Sequence, residues 1–169
     1  MVLDEPVQLA VHDPRWRDVA RAEGARLSRS LNIRRENIEH IGSTAVPDLI
    51  AKPIVDLMLG LDEYPPATEF VRELESLSYK PLGEAGVPGR MYFRRRVEEP
   101  VNLHVVVLGG DHWQKNLALR ELLKAEPAYR RRYERAKIGI VEAGHRTLLE
   151  YSEAKSAVIH ELLSKISAA

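Results

Sequence analysis

The stretch IEHIGSTAVPDLIAKPIVDLML, residues 38–59, decides how this chain folds. A short apolar segment leads through a Gly-Ser-Thr turn and two prolines into a nearly continuous apolar run that holds one carboxylate, Asp56. Ile38 to Ile41 predicts a strand feeding a loop. Pro47 and Pro53 are expected to bracket a brief helical turn. The run IVDLMLGL, 54–61, predicts a strand covered on both faces, in which a buried charge needs compensation.

Outward from this stretch the periodicity is clear. Trp16, Val19, Ala20, Leu27 and Leu31 recur at helical spacing after His-Asp-Pro and predict a helix over 14–31, capped by Asp13 with Pro14 in its first turn. Phe70, Val71, Leu74 and Leu77 predict a second helix over 65–78. The loop GEAGVPGR opens into a strand over 90–97, and VNLHVVVL after Pro100 is the next strand. A short link makes these two antiparallel neighbours. Beyond Gly110 the pattern is helical, with breaks at Pro127 and at Gly144-His145, giving helices over 112–125, 127–142 and 147–166. The layout is α+β (α/β): a sheet half with a helical half packed on it as one unit, a single domain over 1–169.

Composition removes several classes of function. Lys and Arg total 25 and Asp and Glu total 25, so the net charge is zero and no overall field draws the chain to nucleic acid or to anionic membrane. YRRRYERAK does not alter this, because consecutive helical residues point in different directions. There is no cysteine, which excludes disulfide frameworks, thiolate catalysis and thiolate metal sites and points to the cytoplasm. The N-terminus lacks the layout of a signal peptide, and no apolar stretch approaches the roughly 18 residues that span a bilayer.

A strand, a Gly-Ser turn, a short helix and a second strand bearing an acid resembles the entry motif of the nucleotidyltransferase fold. More specifically, residues 38–59 together with GEAGVPGRMYF, NLHVVV and LALRELLKAEPAYRRRYERAK resemble the GrpB family, over roughly residues 8 to 163. The resemblance implies a small mixed sheet flanked by helices, with a cleft at the Gly-Ser turn. It also implies nucleotide or coenzyme A chemistry, since some relatives are fused to dephospho-coenzyme A kinase. In the block HWQKNLALRELL the family usually has Arg-His-Leu and then Phe-Arg-Asp. Here Asn116 replaces the histidine and Leu119 the aromatic.

The residues themselves suggest a phosphate seat. Gly42 lets backbone N–H groups approach a phosphate, and Ser43 and Thr44 donate hydroxyls near the start of a short helix; an ordinary capped turn is the plain alternative. Full nucleotidyltransferases place a second acid two residues beyond the first, on the same strand face, to hold magnesium. That position is Met58, a poor magnesium ligand. His104, with Asn102 on its face, is expected across the cleft from Asp56. Three readings follow: one Mg2+ held by Asp56 and His104 with substrate phosphates; a hydrogen-bonded acid/base pair in which Asp56 raises the His104 pKa toward physiological pH; or a structural pair. Lys52 either binds phosphate or pairs with Asp56, and Arg90 suits bidentate phosphate binding. Lys115 and Arg120 are candidate nucleotide contacts, as is Lys137, one helical turn from Tyr133. His40, directly before the turn, faces either the cleft or the core. The expected function is binding of a nucleotide or phosphate-containing small molecule, with transfer of a nucleotidyl or phosphoryl group; the alternative is a binding module that kept the fold and lost the acids.

Overall fold

A computed structural model describes residues 5–167, with side chains through 166. The expectation drawn from the N-terminus falls partly on residues 1–4, outside the described residues. Five strands form one sheet: β1 (Ile38–Ile41), β2 (Val55–Leu61), β3 (Lys80–Pro81), β4 (Met91–Arg95) and β5 (Val101–Val107). Their order is β1-β2-β5-β4-β3. The β2–β5 pair is parallel and every other pair antiparallel, so the sheet is mixed.

Two helices, α1 (Arg15–Ser30) and α2 (Thr68–Ser76), cover one face, and α3 (Asp111–Ala125) packs on the other. The first face carries the main core, with Leu27 and Leu74 from the helices against Leu57, Leu59, Phe93, Leu103 and Val105 from the strands. On the second face Trp113 of α3 meets Ile41, Met58 and Val106. The helical half is completed by α4 (Pro127–Glu142) and α5 (Leu148–Ser167). Val46 and Leu49, in the loop after β1, are buried among Leu123 of α3, Tyr133 of α4 and Leu162 of α5. That loop therefore joins the sheet to the helical half, and the chain is an α+β protein with a C-terminal helical half, as the periodicity predicts.

Local chemistry explains where the elements begin and end. Asp13 Oδ1 accepts the Arg15 backbone N–H at 2.9 Å, serving the first turn of α1. The second helix starts at Thr68, not 65, because Pro66 forces the residue before it out of helical conformation and Ala67 is extended at φ −59°, ψ 150°. The short helical turn lies at Ser43–Ala45, before Pro47 and not between the prolines. Pro47 holds Val46 extended at φ −108°, ψ 114°, which ends the turn. Between the prolines, Ala51 instead exchanges backbone hydrogen bonds of 3.0 and 2.8 Å with Ala10. Two-residue β3 was not foreseen; a pairing this short leaves no period to read.

Candidate functional site

Strand pairing places the key side chains in two rows on the face toward the helical half. Ile41, Asp56, Asn102 and Arg94 form one row, and Glu39, Met58, His104 and Tyr92 the next. Met58 is fully buried in the apolar cluster under α3, so the position of a second acid is given to packing. Alternation sends His40 to the opposite face. There its Nε2 meets the hydroxyl of Thr44 at 2.9 Å, and burial lowers its pKa to about 4.

Asp56 sits at the end of two converging hydrogen-bond chains. Its Oδ1 accepts from Asn102 Nδ2 at 2.9 Å and contacts His104 Nε2 at 3.1 Å. Asn102 Oδ1 in turn accepts from Arg96 Nη2 at 2.8 Å, which fixes the orientation of the amide. Arg90 Nη1 stands 3.3 Å from His104 Nδ1. A guanidinium only donates, so Nδ1 is the acceptor and Nε2 carries the proton directed at Asp56. Arg90 is itself tied by Nη2 to the carbonyls of Glu84 and Ala85 at 3.0 and 3.2 Å, and its guanidinium lies 4.8 Å from the centre of the Tyr92 ring.

The charge states follow from this geometry. Burial pushes the Asp56 carboxyl up, but the His104 hydrogen bond, the charge of Lys52 and the Asn102 hydrogen bond together outweigh it and hold the pKa below the usual carboxylate range. Asp56 is an anion at neutral pH. His104 moves opposite to expectation: burial lowers its pKa, and the hydrogen bond and charge of Asp56 do not make up the difference while Arg90 adds to it. The imidazole is therefore neutral, with both ring nitrogens engaged.

These residues floor a cleft of about 660 Å³ whose opposite wall is α3 and α5. Lys52, Arg90, Arg94, Lys115, Arg120 and Lys155 line it, and Asp56 is the one carboxylate among the lining residues. Lys52 lies outside the strand, which begins at Val55, so it reaches the cleft from the preceding loop and not by strand alternation. Burial lowers its ammonium to about 8 against the pull of Asp56, and burial lowers Lys155 likewise. Neither ammonium group makes a hydrogen bond or ion pair among the described residues; that of Lys155 lies 5.2 Å from the centre of the Tyr151 ring. Arg120 is engaged at the rim with Glu39 Oε2 at 2.7 Å and the His40 carbonyl at 2.9 Å, and Lys115 is 3.5 Å from Asp111. Leu119, Leu123, Ile159 and Leu163 give the helical wall an apolar stripe.

The Gly-Ser turn forms one rim. Gly42 has φ +72°, ψ −171°, and a Cβ there would lie 2.9 Å from Asp56 Oδ2. The turn has three residues and offers no extended helix N-terminus; the N–H groups of Ala45 and Val46 already bond to the carbonyls of Gly42 and Ser43. Ser43 lines the cleft, whereas Thr44 is buried away from it. Lys137 is fully buried behind Ser43, where its Nζ meets Ser43 Oγ at 3.0 Å and the Ile50 carbonyl.

The donor set is a poor one for a divalent ion. Asp56 Oδ1 and both His104 nitrogens are occupied, Oδ2 is packed against Gly42, and cationic side chains line the walls. Among the described residues no group of three or more His, Cys, Asp or Glu side chains converges to hold a metal.

The GrpB protein family model matches residues 6–165. The chain belongs to the GrpB family. It is 30% identical to a UPF0157 protein of Halalkalibacterium halodurans, over 96% of this chain and 83% of that one. It is 26% identical to the glutamate-rich protein GrpB of Alkalihalophilus pseudofirmus, over 95% of each. The crystal structure of conserved protein GrpB from Enterococcus faecalis superposes with a TM-score of 0.77 at 28% identity, covering 94% of this chain and 99% of that one. A dephospho-CoA kinase of Mycobacterium bovis is 27% identical over 176 residues, 89% of this chain and 43% of that protein.

Tyr92, Arg94 and the structural role of Asn102 were not singled out from sequence. Alternation on β4 and β5 contained the signal, since Tyr92 and Arg94 share a face and Asn102 lies two residues before His104. No helix of the described residues is long and apolar enough to cross a membrane.

Proposed function

We propose that this GrpB protein binds a nucleotide or a related phosphate-bearing small molecule in the cleft beneath α3 and α5. The observation that carries this reading is the imbalance of charge. Among the described residues, Lys52, Lys155 and Arg90 face the cleft without a carboxylate in ion-pair contact, around one anion, Asp56, already satisfied by internal donors. Burying unpaired cations is costly, and an anionic ligand relieves that cost. The apolar stripe of α3 and α5 suits the base or organic arm of such a ligand. Similarity to a protein named dephospho-CoA kinase adds coenzyme A precursors to the nucleotides worth testing.

Asp56 then serves as an organiser. It aligns His104, Asn102 and, through them, Arg90 and Arg96, and its charge favours the protonated form of Lys52 and Lys155 against their burial. The relation to nucleotidyltransferases is supported by a Gly-Ser turn apposed to a strand carboxylate in a mixed sheet, but the second acid is a buried methionine. This favours a phosphate-ligand site over a magnesium-cluster transferase.

The test is a thermal-shift screen of nucleoside triphosphates, coenzyme A precursors and pyrophosphate, with magnesium or with chelator, on wild type, Lys52→Ala and Asp56→Asn. A ligand at 100 times its dissociation constant adds about 2.7 kcal/mol of stability. Stabilisation that persists in chelator and is lost in Lys52→Ala is expected. A shift that requires both magnesium and Asp56 would favour the transferase reading instead.

A further inference from the structure

Ser43 stands at the cleft rim with Lys137 directly behind it. Lys137 Nζ lies 3.0 Å from Ser43 Oγ, contacts the Ile50 carbonyl and is 5.0 Å from the centre of the Tyr133 ring. The side chain is fully buried, and among the described residues it makes no ion pair with a carboxylate. Facing it are Lys155 from α5 and Lys52 from the loop before β2, and Glu134 from its own helix, whose Oε1 accepts the Ile50 N–H at 3.2 Å. Burial, Lys155 and Lys52 disfavour a charge on Lys137 and only Glu134 favours one, leaving its pKa at about 6. The ammonium form donates to Ser43 Oγ and to the Ile50 carbonyl; in the neutral amine one N–H still serves the Ile50 carbonyl and the lone pair is free to take the Ser43 hydroxyl proton, for which the Tyr133 hydroxyl is the competing acceptor. The other basic groups at the cleft floor are spent: the lone pair of His104 is held by Arg90, and Asp56 Oδ1 by two donors.

We infer that Ser43 and Lys137 are a nucleophile and its general base, with Ser43 Oγ attacking the phosphorus of a phosphoanhydride or phosphate ester seated in the cationic cleft. This rests on the reading of the cleft as a phosphate-ligand site. The Oγ–P bond forms as the bond from phosphorus to the leaving oxygen breaks. The Oγ proton passes to Lys137 Nζ and from there to the departing oxygen, so the products are O-phosphoserine at position 43 and the released alcohol or shortened phosphate. Lys52, Lys155 and Arg90 offset the charge on the phosphoryl oxygens.

A fluorophosphonate probe tests the nucleophile without knowledge of the ligand, since Oγ–P formation simply expels fluoride. Labelling is followed by peptide mass spectrometry across pH 5 to 9, alongside stabilisation by pyrophosphate and nucleotides. The expected result is labelling at Ser43 that rises through about pH 6 as Lys137 loses its proton and then levels off. It should be absent in Ser43→Ala and slowed about 10²- to 10⁴-fold in Lys137→Met. The wild-type pH profile stands even if Lys137→Met does not fold. An unlabelled Ser43 in a protein that pyrophosphate or nucleotides stabilise would overturn the nucleophile and leave the cleft reading intact. Labelling without the inflection, or indifferent to Lys137→Met, would overturn the role of Lys137. Labelling without stabilisation by any phosphate compound would overturn both the cleft reading and the assigned substrate class.

Discussion

Gly42 and Asp56 touch across the mouth of the cleft: a Cβ at Gly42 would come within 2.9 Å of Asp56 Oδ2 and 3.3 Å of its Cβ. The backbone at Gly42, with φ +72° and ψ −171°, is one that side chains with a Cβ seldom adopt. The glycine thus brings the turn close to the carboxylate and places Ser43 at the rim.

Gly42→Ala is therefore expected to lose about 1–3 kcal/mol of stability from backbone strain, with a further loss from displacing Asp56. Urea unfolding measures this directly. A variant as stable as wild type would mean the turn relaxes freely and has no tight relation to the acid.

Arg90 fixes the state of His104. With the guanidinium donating to Nδ1, ring-nitrogen NMR of the wild type should show a neutral imidazole protonated at Nε2 at pH 7. In Arg90→Ala the His104 pKa should rise, because a nearby positive charge and the lock on Nδ1 are both removed. An imidazolium in the wild type at pH 7 would contradict the hydrogen-bond assignment.

The sheet was legible because strands have a period of two. Asp56, Met58, Asn102 and His104 could be placed on one face from sequence, and the structure puts Asp56 and His104 in contact. The helical half was equally plain from its 3.6-residue spacing. What escaped was set by three-dimensional surroundings. The direction of the His104 shift depends on burial and on Arg90, fourteen residues away in the chain, whereas sequence reasoning saw only the attractive partner Asp56. Lys137 sits in a polar-looking run, RRRYERAK, yet the helix face it shares with Tyr133 is the one turned inward. The helical turn was misplaced because two prolines frame 47–53, while the chain there is drawn straight by pairing with Ala10.

Acid should weaken this fold through the same residues. The folded-state pKa of Asp56 is depressed below its unfolded value of about 3.9. Its contribution is thus fully present above about pH 4 and is lost as pH falls toward the folded value. His40, at about 4 in the folded protein, also favours the fold above its unfolded pKa of about 6.5 and loses that contribution as pH drops from there to about 4. Asp56→Asn should cost about 1–3 kcal/mol at pH 7, because the amide oxygen that replaces Oδ1 carries no full charge for Asn102, His104 and Lys52 to meet, and the second oxygen becomes a donor. Melting temperatures taken from pH 7 to pH 3 should show this gap narrowing only below about pH 4, whereas the gap between wild type and His40→Gln should already narrow from about pH 6.5. A gap for Asp56→Asn that stayed constant to pH 3 would show that its carboxylate charge adds nothing to stability.

The lysines over the cleft should behave in the opposite way to ordinary stabilising residues. Lys52 and Lys155 are partly buried, Lys52 is repelled by Lys155, Arg96 and Arg94, and neither ammonium group makes a hydrogen bond among the described residues. Shortening Lys52 to Ala removes a desolvated charge but also removes an attraction to Asp56. Shortening Lys155 to Ala removes a burial cost along with an attraction to Asp56 and a contact 5.2 Å from the centre of the Tyr151 ring, so that variant should unfold no more easily than wild type in the absence of ligand, within about 0.5 kcal/mol. Both should bind pyrophosphate more weakly, and the salt dependence of that binding should flatten, since fewer positive charges remain to be screened. Isothermal titration at two ionic strengths, paired with melting curves of the free proteins, separates the effects. A Lys155→Ala protein that is much less stable without ligand would assign this lysine to the fold and remove it from the anion site.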